Sequence, residues 1–192
     1  MNLLLIGDSY GVGMRPYVAQ AFSHQFSRGY VTVSAETGWS TRRWMREGDV
    51  SGLLHQSNPN IVIVALGTND EGEENSPDAY ESMISRFDAM AAETGALVIW
   101  VTSFAGPGSE ERFRLVRETV GFRRVIDGRG LVSGLLSGDS VHPSGRNYQI
   151  VAEKLASEVR IRWLLSLAAP IPGAVVAFGL GAAVVAALLR WW

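Results

Sequence analysis

The strongest constraint on the fold is a regular alternation of short apolar runs with longer amphipathic stretches. Five runs, at 2–6, 30–34, 60–66, 96–102 and 123–126, have the length and the Val, Ile and Leu content of buried strands. Most contain few polar residues, which is typical of parallel strands covered on both faces. The stretches around them predict helices at 13–27, 41–54, 77–94, 109–120 and 144–167. This order predicts one α/β domain, a three-layer α/β/α sandwich with a five-stranded parallel sheet.

The C-terminal segment has a different character. Residues 171–189 include no charged side chain, and as a helix these 19 residues would span about 28 Å, close to the hydrocarbon core of a bilayer. Arginine and tryptophan flank the segment on both sides, as they do at membrane interfaces (Arg160, Arg162, Trp163, Arg190, Trp191, Trp192). The sequence therefore predicts a folded domain at 1–162 and a hydrophobic segment at 163–192 that contains a transmembrane helix.

Residues near the two ends of the sequence also predict on which side of the membrane the folded domain lies. The first residues lack the basic region of a signal peptide, so we expect a tail anchor with the folded domain on the cytoplasmic side. Gly173, Ala177 and Gly181 recur every four residues, a stripe that favours a helix-mediated oligomer. The alternative is a hydrophobic plug in a larger assembly, such as a phage virion.

Composition excludes several classes of function. The formal net charge is -2 and no basic stripe occurs, so nucleic acid is not an expected partner. Cysteine is absent, and the three histidines, His24, His55 and His142, lie far apart in the sequence. We therefore predict no disulfide and no metal site.

Chemistry-bearing residues follow the predicted strands, at the edge of a parallel sheet where ligands bind. The first such loop, Gly7-Asp8-Ser9-Tyr10-Gly11-Val12-Gly13, fits a dinucleotide loop by its glycines and a nucleophile elbow by its Gly-x-Ser-x-Gly pattern. No tyrosine has a lysine four residues later, which disfavours a short-chain dehydrogenase. The serine also precedes most of the sheet, which disfavours an α/β-hydrolase elbow.

Four blocks in order support a third interpretation. Gly7-Asp8-Ser9, Gly38, Gly67-Thr68-Asn69-Asp70 and Asp139-Ser140-Val141-His142-Pro143 together resemble the SGNH (GDSL-type) serine hydrolase family over about residues 1–160. The resemblance implies a flavodoxin-like sandwich and a Ser-His-Asp triad of Ser9, His142 and Asp139. It also implies an oxyanion hole formed by the N–H groups of Ser9 and Gly38 and the side-chain amide of Asn69.

These residue types suit ester hydrolysis. A serine at the start of a helix can present its hydroxyl, a histidine can take the proton, and an aspartate three residues before the histidine can orient the ring. The resemblance implies no cofactor. The substrates of the family that it resembles include small esters, acylated glycans and lipids. We expect a short acyl group, such as O-acetyl on a glycan. The rival hypothesis is a membrane-embedded or virion assembly protein that uses the hydrolase fold as a structural module.

Overall fold

The computed structural model describes residues 1–26, 29–70, 76–106 and 108–167. Its five strands are β1 (Leu3–Gly7), β2 (Val31–Ala35), β3 (Ile61–Ala65), β4 (Leu97–Val101) and β5 (Val125–Ile126). All neighbours are parallel, in the order β2-β1-β3-β4-β5. The predicted five-stranded parallel sheet is confirmed, with strand ends within two residues of most predicted limits.

Seven helices accompany the strands in the described part of the chain. They are α1 (Ser9–Gln25), α2 (Thr41–Glu47), α3 (Val50–Ser57), α4 (Pro77–Ala92), α5 (Ser109–Val120), α6 (Gly128–Val132) and α7 (Gly145–Leu167). No described helix is both long and apolar enough to cross a bilayer. The membrane helix predicted at 171–189 lies outside the described residues.

Both faces of the sheet are buried because successive strand residues point to opposite sides and both sides are apolar. One face packs against α1, α6 and α7 through residues such as Leu5 and Ile63. The other packs against the α3, α4 and α5 layer through residues such as Leu4 and Val62. Helix α7 lies along α1 and runs from the carboxyl ends of the strands back to their amino ends.

Helix α1 begins at Ser9, four residues earlier than predicted. The glycines at 11 and 13 belong to the helix because other elements approach it closely there. A Cβ on Gly11 would lie 2.7 Å from the Ala35 Cβ, and one on Gly13 would lie 2.3 Å from the Tyr148 ring. The predicted loop is therefore the first part of α1, where the absence of side chains at Gly11 and Gly13 lets Ala35 and Tyr148 pack closely against the helix.

The predicted helix at 41–54 is two helices. The Gly48 N–H donates to the Trp44 carbonyl and closes α2, while the Asp49 carboxylate accepts the Gly52 N–H and opens α3. A glycine followed by an N-capping aspartate favours this break.

Candidate active site

Ser9 lies where β1 passes into α1. The Asp8 side chain caps the helix by accepting the Tyr10 N–H at 3.0 Å. The Ser9 side chain is half-buried, and the first N–H groups of the helix have no partner within the helix itself. The serine hydroxyl is therefore presented at the positive end of a 17-residue helix.

The structure brings Ser9, His142 and Asp139 into one hydrogen-bonded series across 133 residues of sequence. Ser9 Oγ lies 3.0 Å from His142 Nε2, and His142 Nδ1 lies 2.9 Å from Asp139 Oδ2. With the ring proton on Nδ1, the imidazole donates to the carboxylate and Nε2 accepts the serine hydroxyl. This order of contacts is the one that a general base requires.

The Asp139 carboxylate also organises the loop that carries the histidine. Its Oδ1 accepts the backbone N–H groups of His142 and Val141 at 2.8 and 2.9 Å, and the Ser137 hydroxyl at 3.0 Å. These hydrogen bonds, the His142 N–H first, hold the pKa of Asp139 far below its ordinary value. The tight turn places Ser140 at a positive φ of 56°.

Tyr10 supports the same loop, a role that the sequence did not predict. Its hydroxyl donates to the Val141 carbonyl, and its ring stacks on Phe104 with centroids 4.1 Å apart. The same ring lies 5.5 Å from the imidazole of His142. The only sequence signal is an aromatic residue directly after the serine.

The loops that carry Gly38 and Asn69 follow β2 and β3, the two strands that flank β1. In the sheet, Gly7 pairs with Ala35 of β2 on one side and with Ala65 of β3 on the other. Gly38 follows three residues beyond the end of β2, with a φ of 75° that favours glycine. Asn69 follows four residues beyond the end of β3, and its Nδ2 donates to the Trp39 carbonyl at 3.2 Å. The two loops predicted to form the oxyanion hole thus contact each other.

A buried carboxylate fastens these two loops. Asp70 accepts the Thr41 N–H at 2.7 Å and the Thr41 hydroxyl at 2.6 Å, a contact between residues 29 positions apart. Burial raises the pKa of Asp70, although the hydrogen bonds from Thr41 oppose the shift. Asp70 therefore sets the position of Asn69 relative to Gly38.

Asp8 is fully buried beside the nucleophile. Burial raises its pKa to about 6, although the hydrogen bond from the Tyr10 N–H opposes the shift. The charge of Asp8 therefore changes around pH 6.

The described residues contain no group of three or more carboxylates, histidines or cysteines that could hold a metal ion. His24 is exposed, and His55 Nδ1 contacts the Ser51 carbonyl of its own helix. Neither histidine lies at the site.

Solved structures of known hydrolases share this fold. TesA is 19% identical, with a TM-score of 0.66 over 84% of this chain and 99% of that chain. EstA, a psychrotrophic esterase from Pseudoalteromonas sp., is 14% identical, with a TM-score of 0.66 over 86% and 100%. A catalytic mutant of Axe2, an acetylxylan esterase from Geobacillus stearothermophilus, is 18% identical, with a TM-score of 0.63 over 82% and 93%. At these identities the likeness establishes the fold alone.

Sequence comparison identifies the family. No curated protein matches the sequence significantly. The model of the GDSL-like lipase/acylhydrolase family, by contrast, matches residues 5–150, which include Ser9, Gly38, Asn69, Asp139 and His142. The chain therefore belongs to the GDSL-like lipase/acylhydrolase family and is a carboxylic ester hydrolase.

Proposed function

We propose that the chain is a serine esterase with Ser9 as nucleophile, His142 as general base and acid, and Asp139 as the residue that orients the imidazole. The observation that carries this proposal is the pair of contacts at 3.0 Å and 2.9 Å that joins the three side chains. A hydroxyl, an imidazole and a carboxylate in this order favour proton transfer from the serine as it attacks an acyl carbon.

The proposed reaction has two halves. Ser9 Oγ bonds to the acyl carbon while its proton moves to His142 Nε2, and the carbonyl oxygen becomes an oxyanion. The N–H groups of Ser9 and Gly38 and the Asn69 amide are the proposed donors to that oxygen. His142 then protonates the departing alcohol oxygen, which leaves an acyl-enzyme. Water then gives a proton to the same imidazole and attacks this ester. The imidazole returns the proton to Ser9 Oγ as the acyl–Oγ bond breaks, which releases the acid and regenerates the Ser9 hydroxyl.

We propose a short acyl group, such as acetyl on a glycan, as the substrate. Two of the connections near Ser9 are short, because Asp8 alone joins β1 to α1 and only residues 36–40 join β2 to α2. Little chain is available there to line a groove for a long acyl group. The acetylxylan esterase Axe2 has the same fold, which is compatible with this choice.

Purified full-length chain tests the proposal on p-nitrophenyl esters of increasing acyl length and on acetylated xylan. We expect turnover of the acetate, a fall in kcat/KM as the acyl chain lengthens, and release of acetate from the glycan. A preparation of Ser9→Ala made in parallel measures contaminating esterases. Absence of turnover on every ester would remove the proposed function, whereas a preference for long chains would remove only the acetyl assignment.

The rate should depend on pH through the imidazole. Only neutral His142 can accept the Ser9 proton, so kcat/KM should fall, by up to about tenfold per pH unit, as acid protonates the imidazole. The lowered pKa of Asp139 keeps that carboxylate ionised over the whole pH range of the measurement. Asp139 therefore does not contribute to the fall in kcat/KM on the acid side, the acid limb of the profile.

Asp8 provides the control for this pH profile because it is a buried carboxyl beside Ser9 with a pKa raised to about 6, and its protonation would also lower the rate in acid. Asp8→Asn removes the titration and retains a side chain that can cap α1. The acid limb should persist in Asp8→Asn. Its disappearance would assign the limb to Asp8 and contradict a histidine base.

We also propose that residues 171–189 anchor the chain in a membrane, as their length and lack of charge indicate. Full-length protein should sediment with membranes and need detergent for extraction. A chain ending at Leu167 retains all of α7, so it should remain in the supernatant and hydrolyse the same soluble esters. Full-length protein that stays monomeric in solution without detergent would contradict the anchor.

A further inference from the structure

The end of the domain opposite the catalytic residues exposes several large hydrophobic side chains. Of the seven exposed large hydrophobic side chains in the described residues, five lie near the amino ends of the strands. We call this surface the basal face and define it by Tyr30, Phe122, Ile161, Leu165 and Leu167. The exposed fractions reach 82% at Tyr30, 69% at Phe122 and 64% at Leu167. Tyr30 and Phe122 lie next to the two edge strands, so exposed apolar side chains occur across the whole width of this end of the domain, as expected of an interaction surface.

Hydrogen bonds and ring contacts fix the position of this face. The Tyr30 carbonyl accepts the N–H of Leu3, the first residue of β1. The Arg162 guanidinium donates to the carbonyl of Val125, the first residue of β5, and Trp163 packs edge-on against Phe26 just past α1. The last turns of α7 therefore lie at the amino ends of the strands.

Arginines accompany the exposed apolar residues. Arg124 and Arg162 pair with Asp88 and Glu158, which leaves those two arginines largely neutralised. Arg123 instead lies over the ring of Phe122, 5.8 Å from its centroid, and Arg160 donates to the Gln25 side chain. Exposed aromatic rings, together with arginines that form no ion pair with an acid among the described residues, suit the headgroup region of a bilayer.

The course of the chain indicates what covers the basal face. Leu167 is the last described residue of α7 and belongs to the basal face, and the uncharged segment 171–189 begins four residues later in the sequence. If that segment is anchored in a membrane, so short a connection brings the basal face to the surface of the same membrane.

The catalytic residues lie at the other end of the same helix. Helix α7 has 23 residues, which corresponds to a length of about 34 Å, and His142 lies just before its start. We call this end, with Ser9 and His142, the catalytic edge.

We propose that the basal face rests on a phospholipid bilayer and that the catalytic edge points into the aqueous phase. This inference rests on the proposed esterase function and on the proposed anchor. It selects the substrate class: an ester in the aqueous phase, on a soluble molecule or a glycan, and not a lipid of the bilayer that holds the enzyme.

Site-specific fluorescence tests the orientation. The chain has no cysteine, so Leu165→Cys and Leu136→Cys each create a single labelling site for an environment-sensitive dye. The two leucines are a matched pair, 41% and 37% exposed, on the basal face and at the catalytic edge respectively. Each labelled full-length protein is reconstituted into phosphatidylcholine vesicles containing one quarter phosphatidylglycerol, with spin-labelled lipid as quencher. Turnover of a soluble ester by each labelled protein in detergent confirms its fold.

We expect quenching and a blue-shifted emission at position 165 and neither effect at position 136. Quenching at both positions, or at 136 alone, would overturn the orientation. Absence of quenching at 165, with the protein still bound to vesicles, would also overturn it and would indicate that a second copy or the tail covers the basal face.

Two substrates test the substrate class in the same vesicles. A soluble acetyl ester should be hydrolysed, while a long-chain lysolipid ester held in the bilayer should react on the order of 100-fold more slowly, because each buried CH₂ opposes its withdrawal. Equal rates would overturn the inference and leave the esterase function intact. No hydrolysis of either substrate, in vesicles or in detergent, would overturn the esterase function, while the fluorescence would still report the orientation.

Discussion

Replacing Ser9 with alanine should reduce kcat/KM on a soluble ester by on the order of 10⁴-fold or more. The variant loses the oxygen that forms the acyl-enzyme, so only transition-state binding by the remaining groups is left. His142→Ala should cause a loss of similar size because the serine hydroxyl is unreactive without a base. Since the two residues act as a unit, the double variant should be little worse than either single variant. Steady-state kinetics on p-nitrophenyl acetate measures all three.

Two controls separate chemistry from folding in this experiment. Both side chains are half-buried at the surface, so circular dichroism and Tm of the variants should match those of the parent. An alkyl phosphonate ester should add one covalent group per parent chain, at Ser9 by peptide mass spectrometry, and none to Ser9→Ala. Parent-like turnover by a clean Ser9→Ala preparation would disprove the mechanism.

Asn69→Ala should lower kcat by about 10²–10³-fold with a much smaller change in KM. The amide donor matters most when full charge resides on the carbonyl oxygen, so its loss raises the barrier more than it weakens substrate binding. The side chain also donates to the Trp39 carbonyl, and its removal loosens the neighbouring loop as well. The kcat and KM of the variant, measured by initial rates, distinguish these effects.

Thr41→Val provides the matched control for Asn69. It removes the hydroxyl that donates to Asp70 at 2.6 Å and keeps the Asn69 amide, so it disturbs the same pair of loops without removing a donor. Its kcat should fall far less than that of Asn69→Ala. Equal losses in the two variants would mean that Asn69 acts by holding the loop and not as an oxyanion donor.

The sequence predicted the sheet well because four of the five strands are buried on both faces, and a continuous apolar run of the right length has few alternatives. The helix limits were harder. Gly11 and Gly13 are typical of a loop, and only the approach of β2 and Tyr148 explains why they lie in α1. The short helix α6 was not predicted, because five residues are too few for helical periodicity to be visible.

The candidate site was predictable where its residues form local patterns. Asp139 and His142 lie three residues apart and Ser9 follows the first strand after one residue, so all three fall in the short blocks that carry the resemblance to the SGNH family. The contacts between distant segments were not predictable. Asp70 was interpretable only as a local turn residue, whereas its partner Thr41 lies 29 positions earlier. The residue after Ser9 is Tyr10, at the position that leucine occupies in the GDSL motif from which the family takes its name. The Tyr10 hydroxyl donates to the Val141 carbonyl, 131 positions later in the sequence.

The packing of α7 along α1 has a consequence for biosynthesis. Ser9 leaves the ribosome 133 residues before His142, which is fixed in place by the start of α7. A nascent chain therefore carries its hydroxyl without a base while those residues are added. Ester turnover would begin only when the final long helix docks, so the appearance of activity during cell-free synthesis would time the last step of folding.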